Sequence, residues 1–199
     1  GPHMLARLPV NKHYPDRAAL ADAIADVLAQ QVAACDADII QMDEASLPVL
    51  PDDWPYAARA INKVLDAAKG MTAVHLCLGN YNGQRSPGAS SWDRLLDYLN
   101  ALHADHVVLE NAYRPLHEIE VFKELRPDLG LGLGVIDVKS NEVETADGIA
   151  ARLDQAAQVL GPGRVRFIHP DCGFFMLNRS VVDAKIKALV AGRNLYEGR

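Results

Sequence analysis

His75 and Cys77 form a His-x-Cys pair within a short apolar run, Val74-His75-Leu76-Cys77-Leu78. If this run is a β-strand, the two side chains point to the same face, because strand side chains alternate with a period of two. Imidazole nitrogen and thiolate sulfur are ligands that Zn²⁺ prefers in proteins, so the pair would supply half of a tetrahedral site. The alternative is a structural role, since a His-x-Cys pair alone is more often structural than catalytic.

Two further candidate metal ligands lie at the ends of other predicted strands. Glu110 ends one strand, and Cys172 follows another in a turn before a helix, where backbone N–H groups stabilise a thiolate. Two thiolates, one carboxylate and a neutral imidazole would leave a charge of about −1 on the Zn²⁺ complex. Such a site favours binding an incoming thiol over activating water. Cys172 as a small buried hydrophobe and Glu110 as a helix N-cap are the alternatives.

Strands and helices alternate along the chain. The apolar spacing of residues 17–34 predicts an amphipathic helix with Asp16 as its N-cap. The other predicted elements are a buried strand at 39–42, helix 56–69, strand 72–78, helix 92–103, strand 106–110, a short helix near 116–125, strand 131–137, helix 146–160, strand 164–169 and helix 180–191. This alternation implies an α/β fold with parallel strands.

Polar residues recur where each predicted strand ends: Asp43, His75 with Cys77, Glu110, Asp137 and Cys172. In a (β/α)₈ TIM barrel the carboxyl ends of all strands meet at one active-site face. An open doubly wound sheet would use mainly one switch point, so five such ends favour a barrel. Five strands cannot close a barrel of eight. We therefore interpret residues 1–199 as one domain that contains part of such a barrel.

Composition narrows the class of protein. Of the 199 residues, 49% are hydrophobic and 6% aromatic, which is typical of a soluble α/β protein. A net charge of −6 argues against nucleic-acid binding. No apolar run approaches the ~18–20 residues of a membrane span, and no signal peptide is recognisable, so we expect a cytoplasmic protein. Three cysteines are too few for a disulfide framework; Cys35, away from the strand ends, is expected to pack in the interior.

Five segments together resemble a known family: "IIQMDEASL", "HLCLGN", "VVLEN", "GLGVIDVKS" and "HPDCG". Their order and approximate spacing are similar to those of the C-terminal catalytic domain of cobalamin-independent methionine synthases, from about residue 15 onward. The resemblance implies a (β/α)₈ barrel in which Zn²⁺ activates a thiol for S-alkylation. It implies as well that this chain is the C-terminal part of that barrel, with its last five βα units. It also implies that the zinc ligands are His75, Cys77, Glu110 and Cys172.

The same resemblance implies that Asp43 holds the amino group of homocysteine. Gln41, on the same face of a regular strand, and Asn80, in the loop after the His-x-Cys strand, are further candidates for substrate binding. Lys139 stands where the family carries a histidine proton relay. Lys139 and Asp137 are therefore the candidate catalytic residues, handling charge or protons near the alkyl donor. A solvated loop lysine is the alternative for Lys139.

We expect a zinc-dependent S-alkyltransferase that converts a homocysteine-like thiol into a thioether, with a methyl-folate or methyl-corrinoid as donor. One alternative is epoxide opening by a zinc-bound thiolate, as in epoxyalkane:coenzyme M transferases of the same family. Another is a non-catalytic, zinc-stabilised scaffold. Gly1–Met4 is either a cloning scar or a native Gly-Pro turn, and another chain or a missing segment would complete the barrel.

Overall fold

A computed structural model describes residues 1–78 and 91–199, apart from the side chain of Leu116. Its α-helices and strands, in chain order, are α1 (Pro2–Arg7), α2 (Arg17–Ala34), β1 (Ile39–Glu44), α3 (Trp54–Leu65), β2 (Met71–Leu76), α4 (Leu96–Ala101), β3 (His106–Leu109), β4 (Gly130–Ile136), α5 (Ala146–Leu160), β5 (Val165–Pro170) and α6 (Arg179–Tyr196). Short 3₁₀ segments lie at Leu47–Val49, Pro51–Asp53, Trp92–Leu95 and Leu116–Glu124. No helix in these described stretches has the length and apolar character needed to cross a bilayer.

The five strands form one sheet in the order β1-β2-β3-β4-β5. β1 pairs with β2 in parallel, and β4 pairs with β5 in parallel. The predicted α/β fold with parallel strands is therefore confirmed. In the first pair Asp43 lies opposite His75, so the carboxyl ends of β1 and β2 bring two of the predicted site residues side by side.

By its contacts the chain divides into two compact units. The described part of the first unit comprises residues 1–77, 91–107 and 125–129. Its helices α1, α2 and α3 pack through small buried side chains: Ala6, Ala21, Ala25, Val32, Ala60 and Val64. Small side chains let helix backbones approach closely and still exclude water. The predicted N-cap is confirmed, since the Asp16 side chain accepts a hydrogen bond of 2.8 Å from the backbone N–H of Ala19.

The first residues of the chain fold into α1 and anchor to the end of β1. His3 is fully buried, with Nδ1 3.3 Å from Glu44 Oε1 and Nε2 2.9 Å from Asp53 Oδ2. The backbone N–H of Met4 donates to the other Glu44 oxygen at 3.2 Å. The buried imidazole of His3 lies between two carboxylates and fixes α1 within the first unit. His3, Glu44 and Asp53 therefore have a structural role in this unit.

The His3 contacts predict a pH dependence of stability. Burial alone would lower the pKa of His3, but its hydrogen bonds to Glu44 and Asp53 and their charges outweigh this, so the pKa is raised. The folded state then binds the proton more tightly than the unfolded state. This contribution is fully present below the unfolded value near 6.5 and is lost as pH rises through the folded pKa.

We therefore expect His3→Gln to be most destabilising at about pH 6 and less so at about pH 8, by urea unfolding across that range. His13→Gln, at an exposed position, is the matched control. Equal losses for His3→Gln at both pH values would contradict the expectation.

The described part of the second unit comprises Leu78 and residues 108–124 and 130–199. Every residue of β4 is buried in it. Helix α5 begins at the Thr145 N-cap, whose side chain accepts from Gly148 N–H at 3.1 Å. Helices α5 and α6 approach closely at Gly192, where an added Cβ would lie 2.5 Å from Ile149 Cβ. The close approach explains why the position carries no side chain.

Several sequence predictions differ from the structure. Strand β1 was expected to be buried, but it is the first strand in the sheet order and Ile39 is 46% exposed. Cys35 was expected to pack in the interior, and it is exposed because it follows the last packed turn of α2. The predicted helix 92–103 is a 3₁₀ turn followed by the short α4, and the segment near 116–125 is 3₁₀ throughout. Apolar side chains three or four residues apart suit both helix types, so spacing alone does not separate them.

Candidate functional site

The predicted His-x-Cys pair lies at the carboxyl end of β2 in the first unit. His75 is buried at 6% exposure, and Cys77, just past the last strand residue, is half-buried. The backbone N–H of Cys77 donates to the carbonyl of Glu44 at 3.2 Å, which continues the pairing with β1 beyond the strand end. The backbone that presents the thiol is therefore fixed on one side by β1.

Asp43 and Gln41 lie on β1, and both are exposed. Gln41 Nε2 donates to Asp43 Oδ1 at 2.9 Å, so the two side chains share one face of the strand. Because Asp43 lies opposite His75, this polar pair is next to the end of β2. Asn80, the third predicted substrate-binding residue, lies outside the described residues.

Glu110, predicted as a metal ligand, follows β3 and is fully buried in the second unit. Its Oε1 accepts a hydrogen bond from the backbone N–H of Leu78 at 3.0 Å. Its Oε2 accepts from Lys139 Nζ at 2.6 Å and from the Tyr113 hydroxyl at 3.2 Å. The ammonium also lies 4.9 Å from the centre of the Tyr113 ring, a distance at which the ring face attracts a cation. Both carboxylate oxygens thus have partners.

Lys139 is buried. Its side chain is only 2% exposed, so its interpretation as a solvated loop lysine is wrong. Burial alone would lower the pKa of Lys139, but the hydrogen bond to Glu110 and the charge of Glu110 raise it above the ordinary value. The side chain is therefore an ammonium at neutral pH and can supply positive charge or a donated hydrogen bond, but not act as a base.

The loop after β4 fixes the backbone of Lys139. Asp137 Oδ1 accepts from Lys139 N–H at 2.8 Å, and Asp137 N–H donates to Glu144 Oε1 at 2.8 Å. Lys185, fully buried on α6, donates to both Glu144 oxygens at 3.0 and 3.1 Å. The predicted catalytic residue Asp137 is thus part of the network that shapes this loop.

Asp171, directly before Cys172, is hydrogen-bonded to the backbone that follows β3 in the second unit. Its Oδ1 accepts from the backbone N–H groups of Asn111 and Ala112 at 2.9 and 3.0 Å. Burial raises the pKa of Asp171 to about 7, although these two N–H groups act in the opposite direction. The carboxylate occupies the space of a missing side chain, since a Cβ on Gly134 would lie 2.1 Å from Oδ1. Cys172, the predicted metal ligand, follows Asp171 and is half-buried.

Sequence reasoning missed the residues that support the site: Tyr113, Glu144, Asp171 and Lys185. One signal was available for Lys185, which lies four residues after Val181 and four before Leu189, on the apolar stripe of its helix. A charged residue on such a stripe indicates a buried ion pair. The backbone partners of Asp171 follow another strand, β3, and no local pattern identifies them.

Comparisons with known proteins identify relatives over nearly the whole chain. The family described as "Cobalamin-independent synthase, Catalytic domain" matches residues 1–193. A methionine synthase from Pyrococcus abyssi is 29% identical over 193 residues, which are 96% of this chain and 53% of that protein. One from Thermococcus kodakarensis is 28% identical over 195 residues, 96% of this chain and 54% of that protein. The chain thus spans about half the length of these curated relatives.

A solved structure shows the same fold. The B12-independent methionine synthase of Shewanella sp. W3-18-1, in complex with selenomethionine, aligns with all of this chain and 60% of its own, with a TM-score of 0.84 and 24% identity. At that identity the likeness concerns the fold alone. The family match extends over all five strand ends described above. This chain belongs to the family of cobalamin-independent synthase catalytic domains.

Proposed function

We propose that the chain forms the thiol-activating part of a zinc-dependent methyltransferase that acts on homocysteine or a similar thiol. Membership of the synthase family is the observation that supports this most. The donor chemistry agrees, since His75, Cys77 and Cys172 each offer one ligand atom to a metal ion. One imidazole nitrogen and two thiolate sulfurs fit Zn²⁺, which is commonly bound by such sets in proteins.

In this proposal each of the chain's residues has a defined task. A bound Zn²⁺ would lower the pKa of the substrate thiol, so that it is a nucleophilic thiolate at neutral pH. Asp43, aligned by its hydrogen bond from Gln41, would accept hydrogen bonds from the substrate ammonium group. Lys139, which remains protonated, would supply positive charge near the reacting groups, and Asp137 would fix its backbone.

Homocysteine is favoured over coenzyme M as the thiol. The relatives reported above are named methionine synthases, and none of these names refers to coenzyme M or to an epoxide. An acidic residue at the end of β1 suits an ammonium group, whereas a sulfonate would require a cation there. The family resemblance also assigns Glu110 as the fourth metal ligand, and that assignment stays a prediction.

Metal binding is the first test of the proposal. The purified chain, stripped of metal and titrated with Zn²⁺, is expected to bind about one ion, in line with the one His-Cys-Cys group found among the described residues. Cys172→Ser should weaken binding by more than about 100-fold, which exceeds the effect of changing a residue that only hydrogen-bonds a metal ligand. Cys35→Ser is the matched control and should bind as the wild type does, because Cys35 is exposed and its thiol donates to the Gln31 carbonyl. Absence of tight binding to the wild type would overturn the proposal.

The thiol response separates an enzyme from a scaffold. Adding homocysteine to the zinc-loaded chain should release about one proton as the thiol binds the metal as thiolate. Coenzyme M should release less, and Asp43→Asn should reduce the homocysteine response alone. Zinc binding without proton release would instead favour the non-catalytic scaffold.

A further inference from the structure

We infer that Glu44 is a positioning residue for Asp43, the carboxylate that would bind the substrate ammonium group. Glu44 fixes the end of β1, and Asp43 therefore presents its oxygens in one direction. This inference rests on the proposed function, since the role of Asp43 belongs to it. All the residues involved lie in the first unit.

Asp43 and Glu44 point to opposite faces of β1, because side chains alternate along a strand. Asp43 shares the exposed face with Gln41. Glu44 is 1% exposed and continues the face of Ile40 and Met42, which pack against the helices of the first unit. Glu44 can therefore act on a substrate at Asp43 only through the backbone that the two residues share.

Both carboxylate oxygens of Glu44 have partners. Oε1 lies 3.3 Å from His3 Nδ1 and accepts from the backbone N–H of Ser46 at 3.4 Å. Oε2 accepts from the backbone N–H of Met4 at 3.2 Å. A buried carboxylate is costly, and an apolar residue in its place would avoid that cost. What the carboxylate adds is direction, because it fixes α1 and the residues after β1 relative to the strand end.

The backbone of Asp43 and Glu44 is held from two sides. The Gly1 nitrogen donates to the Asp43 carbonyl, and a Cβ on Gly1 would lie 2.6 Å from Glu44 Oε2, so the segment packs there without a side chain. On the other side the Glu44 carbonyl accepts from the Cys77 N–H at 3.2 Å. The start of α1 and the end of β2 thus both restrain this strand end.

Only rotation of the Asp43 side chain is left, and Gln41 restrains it by donating to Oδ1 at 2.9 Å. A carboxylate binds an ammonium group through charge-assisted hydrogen bonds, whose strength depends on distance and angle. Binding groups need to be held within roughly 0.5 Å of their productive position. The hydrogen bonds of Glu44 supply this restraint for Asp43.

The affinities for L-methionine and for 4-(methylthio)butanoate test the inference. The two molecules differ in the ammonium group, and neither has a thiol that would bind zinc as a thiolate. Each is titrated into the purified chain and followed by NMR, in the wild type, Asp43→Asn, Glu44→Gln and the double variant. We expect Glu44→Gln to weaken L-methionine binding by on the order of tenfold, because its amide nitrogen cannot accept from the N–H groups that Glu44 bonds. Binding of 4-(methylthio)butanoate should change by less than about twofold.

The second ligand separates positioning from a loss of folded protein. Partial unfolding weakens both ligands equally, so equal losses in Glu44→Gln would overturn the inference. The double variant should bind L-methionine as Asp43→Asn does, since Glu44 acts through Asp43, and additive losses would contradict this. Asp26→Asn, at an exposed position of α2, is the charge-matched control and should bind both ligands as the wild type does.

His3→Ala at about pH 8 keeps the test decisive if Glu44→Gln does not fold. It removes the imidazole beside Glu44 Oε1 and should weaken L-methionine binding selectively, by about threefold or more. A loss of selectivity in Asp43→Asn with none in Glu44→Gln or His3→Ala overturns this inference alone. A wild type that binds both ligands alike, and is unchanged by Asp43→Asn, overturns the proposed role of Asp43 and this inference with it.

Discussion

In the metal-free protein, Lys139→Met is expected to lower the free energy of unfolding by about 3–5 kcal/mol, the range found when one partner of a buried ion pair is removed. Methionine fits the space of the lysine stem but leaves the Glu110 carboxylate without its counter-charge at 0% exposure. The hydrogen bonds from Leu78 and Tyr113 remain and place the expected loss toward the lower end.

Urea unfolding of the metal-free proteins measures this loss. Lys187→Met, at an exposed position of α6, is the matched control and should change stability by no more than about 0.5 kcal/mol. Pairing Lys139→Met with Glu110→Gln should recover much of the loss, since no buried charge is then left without its partner and the amide oxygen can still accept a hydrogen bond. A loss below about 1 kcal/mol for Lys139→Met alone would show that the pair is not buried as described.

Gly134→Ala is expected to destabilise the protein by about 3 kcal/mol, at the upper end for inserting a single methyl group into a packed interior. The new Cβ would lie 2.1 Å from Asp171 Oδ1, 2.9 Å from the Leu109 carbonyl and 3.0 Å from Asn111 N. The Leu109 carbonyl and Asn111 N are backbone atoms of β3 and of the residues that follow it. They cannot move unless that backbone moves with them. The carboxylate would have to leave the N–H groups it bonds, which adds the cost of unsatisfied buried groups.

Gly173→Ala is the control for this substitution, because a Cβ at Gly173 would meet nothing within 4 Å. Its effect on thermal or urea unfolding should be within about 0.5 kcal/mol. Equal losses of stability in Gly134→Ala and Gly173→Ala would contradict the prediction, because they would show that Asp171 does not depend on the space beside Gly134.

Much of the fold follows from local patterns in the sequence. The alternation of apolar strands and amphipathic helices predicted the parallel sheet, and the Asp16 cap was identified from its place before the first apolar residue of α2. The residues at the strand ends were found in the same way. His75 and Cys77 are two residues apart, so the alternation of side chains along a strand is enough to place them on one face.

The partners of the strand-end residues could not be found by such patterns. Lys139 and Glu110 are 29 positions apart, and their ion pair forms only because the ends of different strands meet. The exposure of β1 has a similar origin: Ile39 and Ile40 indicate a strand, but its place in the sheet decides how much of it is covered. Asp171 was visible in the "HPDCG" segment, yet its role depends on the space left by Gly134, a residue of another strand.

The connection from Lys185 through Glu144 to the loop of Asp137 and Lys139 has a consequence for reorganisation energy. An active site that moves charged groups during a reaction spends part of the barrier on turning dipoles toward the new charge distribution. Here the backbone of Lys139 is held by hydrogen bonds that reach back to Lys185 on α6, and its ammonium is held by Glu110. The Lys139 ammonium is therefore positioned when the chain folds, and a reaction beside it would need little reorganisation of this charge.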